Sequence, residues 1–235
     1  MLIGGLQKLT LIDYPGKIAC TVFTVGCNFR CPFCHNPELI DPSKFKLSEI
    51  IEEKSFFDFL NARRGLLDGV CITGGEPTLY SDLPEFIKKI KALGFLVKLD
   101  TNGTKPEMLT ALIADRLVDC IAMDIKTALK KDLYEKVTGS AVDFENIKKS
   151  IEIIMQSGLE YEFRTTVVPG LHTENDILSI AEEIRGAKKY YLQQFVAGEK
   201  IFNPDFREIK SYPEEFLREL REKIKNNFEI CEVRD

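Results

Sequence analysis

The feature that most constrains this chain is an alternation of short β-rich runs with stretches of helical period. Segments 17–25, 69–73, 95–100, 118–125, 161–168 and 189–195 are rich in β-branched and aromatic residues and read as strands. Apolar residues recur at helical spacing between them, over 47–62, 83–93, 106–115, 144–156 and 174–185, and again over 213–226. The plainest helix is 83–93, where Leu83, Phe86, Ile87, Ile90 and Leu93 share a face. Ser81 or Asp82 can cap its start, Pro84 suits its first turn, and Gly94 suits its end. Strands separated by helices pair in parallel through right-handed crossovers. A doubly wound sheet and a barrel both satisfy this pattern. A full eight-unit barrel takes about 250 residues, so six units in 235 residues suit a partial, open (βα)6 barrel. With no low-complexity linker, one domain is expected, its core over about 17–195 and a C-terminal helix and strand over about 213–233.

In either architecture ligands gather at the C-terminal ends of the strands. The residues there are polar and glycine-rich: Gly26-Cys27-Asn28 after the first strand, Thr73-Gly74-Gly75-Glu76-Pro77 after the second, Asp100-Thr101-Asn102-Gly103 after the third. Asp124 and Lys126 close the fourth and Pro169-Gly170 the fifth.

Charge and hydropathy exclude several classes. Thirty-two Lys and Arg against 37 Asp and Glu give a net charge of −5 with no basic block, so no nucleic-acid partner is expected. No apolar run approaches the roughly 18 residues of a membrane span. The N-terminus lacks the charged and apolar regions of a secretory signal, so a cytoplasmic protein is expected.

Seven cysteines, an odd number in a chain of this size, argue against a disulfide framework. Cys20, Cys71, Cys120 and Cys231 sit singly in apolar runs and read as small buried hydrophobes. Cys27, Cys31 and Cys34 fall within eight residues, in GCNFRCPFCHN. Their spacing also matches one face of a helix, but Gly26, Asn28 and Pro32 oppose a regular helix there. A zinc site using His35 is a second possibility. Adjacent Cys34 and His35 make simultaneous ligation of one ion awkward, and no second Cys-x-x-Cys follows. An iron–sulfur cubane held by three thiolates fits better, because it leaves one iron open for chemistry.

This loop, with Phe33 before its last cysteine, together with Gly74-Gly75-Glu76-Pro77 after the next strand, resembles the radical S-adenosylmethionine (SAM) enzymes. The stretch 9–39, LTLIDYPGKIACTVFTVGCNFRCPFCHNPEL, resembles the activating proteins of anaerobic ribonucleoside-triphosphate reductase, which belong with the glycyl-radical-enzyme activases. The resemblance implies a barrel of the radical SAM type and a set of roles. Cys27, Cys31 and Cys34 would ligate a [4Fe–4S] cluster whose fourth iron is chelated by SAM. Gly74, Gly75 and Glu76 would approach the methionyl ammonium, and Phe33 the adenine. Asp100, Thr101 and Asp124 would surround a monovalent cation, as in the formate-lyase activase. Lys126, Arg164 and Gln193 would contact SAM or substrate.

The activity so implied is reductive cleavage of SAM and formation of a glycyl radical on the reductase, with a flavodoxin or ferredoxin as electron donor. Alternatives are an activase of pyruvate formate-lyase or another glycyl radical enzyme, a radical SAM enzyme of small molecules, and a zinc-stabilised binding module without catalysis. His172, in the loop after Pro169-Gly170, reads as a cap or loop residue.

Overall fold

The computed structural model describes residues 1–234. They divide into two compact units, one of residues 1–28, 38–101 and 105–121, the other of 29–37, 102–104 and 122 onward.

The first unit carries β1 (Ile3–Thr10), β2 (Ala19–Thr24), α1 (Glu53–Asn61), β3 (Gly69–Gly74), α2 (Leu83–Ala92), β4 (Leu96–Thr101) and α3 (Pro106–Ala114). Strands β2, β3 and β4 pair in parallel and in chain order, with Thr24 opposite Gly74 and Ile72 opposite Leu99. Helix α2 buries Leu83, Phe86, Ile87 and Ile90 of the stripe read from the sequence, while Leu93 follows the helix and is half-buried. Phe86 stacks on Phe56 of α1 at 5.3 Å.

Two features of this unit differ from the sequence reading. Strand β1, not expected, pairs antiparallel with β2. Gly4 and Gly5 dilute its strand pattern, yet a side chain at Gly4 would meet Val25 at 2.6 Å and Leu39 at 2.7 Å. The continuous helix expected over 47–62 is also interrupted. Residues Leu47–Glu49 form one 3-10 turn, Ile50 is extended, and the Ile51 N–H donates to the Ile3 carbonyl at 2.9 Å. This bridge to β1 takes the backbone out of helical geometry, so α1 starts only at Glu53.

Strand β5 (Cys120–Asp124) divides between the units, and the second unit continues with α4 (Lys131–Thr138), α5 (Phe144–Gln156), β6 (Glu160–Val167), α6 (Glu174–Glu183), β7 (Lys189–Gln194), α7 (Glu214–Ile224) and β8 (Ile230–Arg234). Strands β6, β7 and β8 are parallel and again follow chain order. The short α4 escaped the sequence reading. It packs through fully buried Tyr134, set edge-on to Phe29 and Phe144. Thr173 and Asp176 cap α6 reciprocally. Eight strands, mostly parallel, thus alternate with helices, and the expected α/β class is the one found. No helix among the described residues is long and apolar enough to cross a membrane.

Candidate active site

In the first unit the loops leaving β2 and β3 are bound backbone to backbone. The Gly75 N–H donates to Thr24 O and the Glu76 N–H to Gly26 O, both at 2.8 Å. A Cβ on Gly74 would meet Thr24 N at 2.3 Å, and one on Gly75 would meet Gly26 O at 2.1 Å. Gly74 also holds φ at +116°, which favours glycine. The glycine pair therefore lets the Gly-Gly-Glu-Pro loop lie against the residue preceding Cys27. From the other side, Leu39 O and Ile40 O accept the N–H groups of Gly26 (2.6 Å) and Cys27 (3.0 Å).

Glu76 is almost wholly buried. Its Oε1 accepts from the Thr78 N–H (3.1 Å), the Thr78 hydroxyl (2.5 Å) and the Thr101 hydroxyl (2.8 Å). Two residues singled out in separate motifs, Glu76 and Thr101, are thus joined directly. Such hydrogen bonds offset the cost of burying a carboxylate. Asp100, on β4, pairs with the Lys98 ammonium at 2.5 Å, and the Cys71 thiol lies 3.7 Å from the same oxygen.

The second unit holds Cys31 and Cys34 on one turn, closed by the Cys34 N–H donating to Cys31 O at 3.0 Å. The turn is tied down on two sides. The Arg30 N–H donates to Thr138 O at the end of α4 (2.8 Å), where a side chain on Gly139 would meet Arg30 O at 2.6 Å. Beyond β7, the N–H groups of Phe202 and Asn203 donate to Cys34 O (3.1 Å) and Pro32 O (2.9 Å). His35 Nε2 lies 2.9 Å from Val196 O.

Asp124 at the end of β5 accepts from Arg164 Nε at 2.8 Å and from Lys126 Nζ at 3.0 Å. Burial alone would raise its carboxyl; the two cations outweigh burial and hold it well below the usual range. The sequence-predicted Asp124, Lys126 and Arg164 are therefore one cluster. Lys126 is also fixed through its backbone, its N–H donating to Tyr134 Oη (3.2 Å) and its carbonyl facing His172 Nε2 (2.7 Å). His172 Nδ1 accepts the Val168 N–H at 2.9 Å, so the proton sits on Nε2. Burial pushes the pKa of this imidazole down. The ring of Phe33 packs edge-on to His172 at 6.3 Å. Gln193 lies on the face of β7 shared with Tyr191, opposite Thr166 of β6 and Arg234 of β8.

The sequence reading missed Thr78, Lys98, Glu162 and Arg234. A signal for part of this set was present. Lys98 and Asp100, Asp124 and Lys126, and Glu162 and Arg164 are each two residues apart within or just beyond otherwise apolar strands, so each pair faces one side. Their side chains meet at 2.5, 3.0 and 3.8 Å.

Cys31 is buried, and Cys27 and Cys34 are partly exposed. Among the described residues no three His, Cys, Asp or Glu side chains gather on a single-ion position. A structural zinc shell needs four donors on one ion, whereas a cubane takes each thiolate at a different iron. Three cysteines within one eight-residue stretch, on loop segments pinned by backbone hydrogen bonds, suit the cubane.

The pattern of the radical SAM superfamily matches residues 21–184. A Methanocaldococcus jannaschii protein provisionally named as a glycyl-radical enzyme activating enzyme is 36% identical over 93% of this chain and 90% of its own. The pyruvate formate-lyase-activating enzyme of Clostridium pasteurianum is 28% identical over 97% of this chain and 98% of its own. Among solved structures, Streptococcus suis SuiB bound to S-adenosylmethionine superposes with a TM-score of 0.67 at 16% identity, over 89% of this chain and 48% of SuiB. The chain spans about half of SuiB, and that likeness is one of fold. With the superfamily pattern running from β2 through α6, the protein belongs to the radical SAM enzymes.

Proposed function

We propose that this protein activates a glycyl radical enzyme, and that its partner is an anaerobic ribonucleoside-triphosphate reductase. The observation carrying the activase reading is the end-to-end similarity, at 36% identity, to a relative so named. The choice of reductase rests on the resemblance of stretch 9–39 to the activating proteins of that enzyme. A formate lyase is the second reading, favoured by the match along nearly the whole length of the clostridial activating enzyme.

On this reading Cys27, Cys31 and Cys34 hold the [4Fe–4S] cluster, which when bound and reduced supplies the electron that cleaves SAM to methionine and a 5′-deoxyadenosyl radical. Glu76 offers a buried carboxylate to the methionyl ammonium, and Thr78 and Thr101 fix its orientation. Gly74 and Gly75, whose lack of side chains lets the loop pack on Thr24 and Gly26, carry Glu76 and their own backbone toward the methionyl ammonium. Arg164 and Lys126 face the SAM carboxylate, with Asp124 setting where their charge points. Phe33 borders the adenine and Gln193 the ribose or substrate. Asp100 is held by Lys98. A monovalent cation is no part of this reading, because Lys98 already sits on Asp100 and Arg164 and Lys126 on Asp124. The chemistry needs a reducing cytoplasm and a low-potential donor such as a flavodoxin or ferredoxin.

The test supplies reconstituted, reduced protein and SAM with a reductase whose glycines carry deuterium at the α-carbon. Deuterium is expected in the 5′-deoxyadenosine. Transfer from formate lyase instead moves the assignment to the second reading. Deoxyadenosine formed only with a small molecule overturns the activase reading.

A further inference from the structure

Five charged side chains of the second unit form an unbroken alternation of sign. Lys126 pairs with Asp124 (3.0 Å), Asp124 with Arg164 (2.8 Å), and Arg164 Nη1 lies 3.8 Å from Glu162 Oε1. Arg234 closes the series with a two-pronged contact, Nη1 donating to Glu162 Oε1 at 3.1 Å and Nη2 to Oε2 at 2.9 Å. The last member comes from the C-terminal strand, in which the sequence carries no motif.

The geometry of Arg234 is over-determined. Its guanidinium carbon lies 3.2 Å above the centroid of Tyr191, a stacked cation–π contact. Parallel register sets Arg164 beside Tyr191, Tyr191 beside Glu232, and Gln193 beside Arg234, so Arg164, Tyr191, Gln193 and Arg234 share one face. Strand β8 is itself anchored by Arg221 of α7, whose Nε donates to Cys231 O at 2.9 Å.

The Glu162 side chain is only 4% exposed. A carboxylate that dry demands a partner. Two arginines are within reach, and they compete. With Arg234 engaging both oxygens, Arg164 is left to direct its Nε at Asp124. Without Arg234, Glu162 would draw in Arg164, its neighbour on the same face. The four groups left would carry no net charge, where the five carry one positive charge.

We infer that Arg234 is a positioning residue: by neutralising Glu162 it keeps Arg164 aimed at Asp124 and available to an anionic ligand group, the SAM carboxylate. The inference rests on the radical SAM site proposed above. It gives the last strand of the chain a part in that site without contact to the ligand.

The experiment uses the full chain, anaerobically reconstituted, and reads iron content, the dissociation constant for SAM by equilibrium dialysis, and the KM and kcat of SAM cleavage. R234A is expected to keep its iron and to weaken SAM binding by about tenfold, the order of loss a misplaced orienting group causes, with the change in KM rather than kcat. R234K, which keeps the charge but not the fork, should fall between R234A and wild type. E162Q/R234Q removes the demand together with its partner and should bind SAM more tightly than R234A. Unchanged SAM binding in R234A overturns the inference. So does a double variant as weak as R234A, which would reduce Arg234 to a fastener of β8. Should R234A not fold, R234K and the double variant decide by the same criteria. Wild-type protein that holds iron but binds no SAM defeats the site reading itself, a result separable from these because it precedes any substitution.

Discussion

Gly75 stands so close to Gly26 that a methyl group on it would meet the Gly26 carbonyl oxygen at 2.1 Å. The contact is backbone on backbone, with the Glu76 N–H donating to that same oxygen. No rotamer change can relieve it. Gly75→Ala should therefore separate the two loops and cost at least the roughly 1–3 kcal/mol of a small overpacking change. Urea denaturation of the metal-free chain measures the stability loss, and equilibrium dialysis of the reconstituted protein measures SAM affinity. Both are expected to fall. Gly94, whose φ of +91° strains any side chain although the space around its Cβ position is open, is the control that loses stability without effect on SAM.

The cysteines should separate into two classes. Substituting Ala for Cys27, Cys31 or Cys34 is expected to abolish the iron–sulfur absorbance and SAM cleavage together. Substitutions at Cys20, Cys71, Cys120 or Cys231 should keep both, with stability losses of about 1–3 kcal/mol. Burial pushes the Cys20 thiol up to about 12 and the Cys231 thiol up to about 11. Cys27 and Cys34 are partly exposed whereas Cys20 and Cys231 are buried, so brief alkylation of the folded metal-free chain near pH 8 should label the first pair before the second. Mass spectrometry of the labelled peptides gives the order.

The Thr101 hydroxyl donates to Glu76 across two strand-end loops at 2.8 Å. Thr101→Val removes a donor from a buried carboxylate and should cost about 1.5–3 kcal/mol. Thr101→Ser keeps the hydroxyl and should restore most of it. Thermal melts of the three proteins check the order, and SAM affinity should follow it.

His172 gives a pH signature of its own. Its folded pKa lies below the ordinary 6.5 because burial disfavours the imidazolium. The unfolded chain therefore binds the proton more readily, so stability is full above pH 6.5 and declines as pH falls through the unfolded and then the folded value. Asp124, held well below the usual carboxylate range, adds a decline in the same direction but only below about pH 4. Chemical denaturation of wild type and His172→Asn between pH 5 and 8 should show a smaller acid-side slope in the variant.

Much of this was legible from residue order, because parallel strands with helical crossovers impose a strong periodicity. The stripe on α2 and the six strands β2 to β7 are short-range patterns. What escaped depended on distant partners. Strand β1 has two glycines and gains its identity from β2. The break at Ile50 exists because Ile51 bridges to Ile3. The three cysteines and the Gly-Gly-Glu-Pro loop were legible because their chemistry is carried by spacing. The partners of the charged site residues were not, since Lys98 with Asp100 and Arg234 with Glu162 meet inside strands whose apolar content reads simply as core.

An activase must place a radical on another polypeptide. The most direct measurement is electron paramagnetic resonance of reduced protein, SAM and an anaerobic ribonucleoside-triphosphate reductase, mixed without oxygen. A glycyl radical is expected on the reductase, formed in step with 5′-deoxyadenosine, with no stable organic radical on this chain and loss of the signal when the acceptor glycine is replaced by alanine. Deoxyadenosine accumulating with no radical on the reductase, on formate lyase or on any other polypeptide would contradict the activase reading.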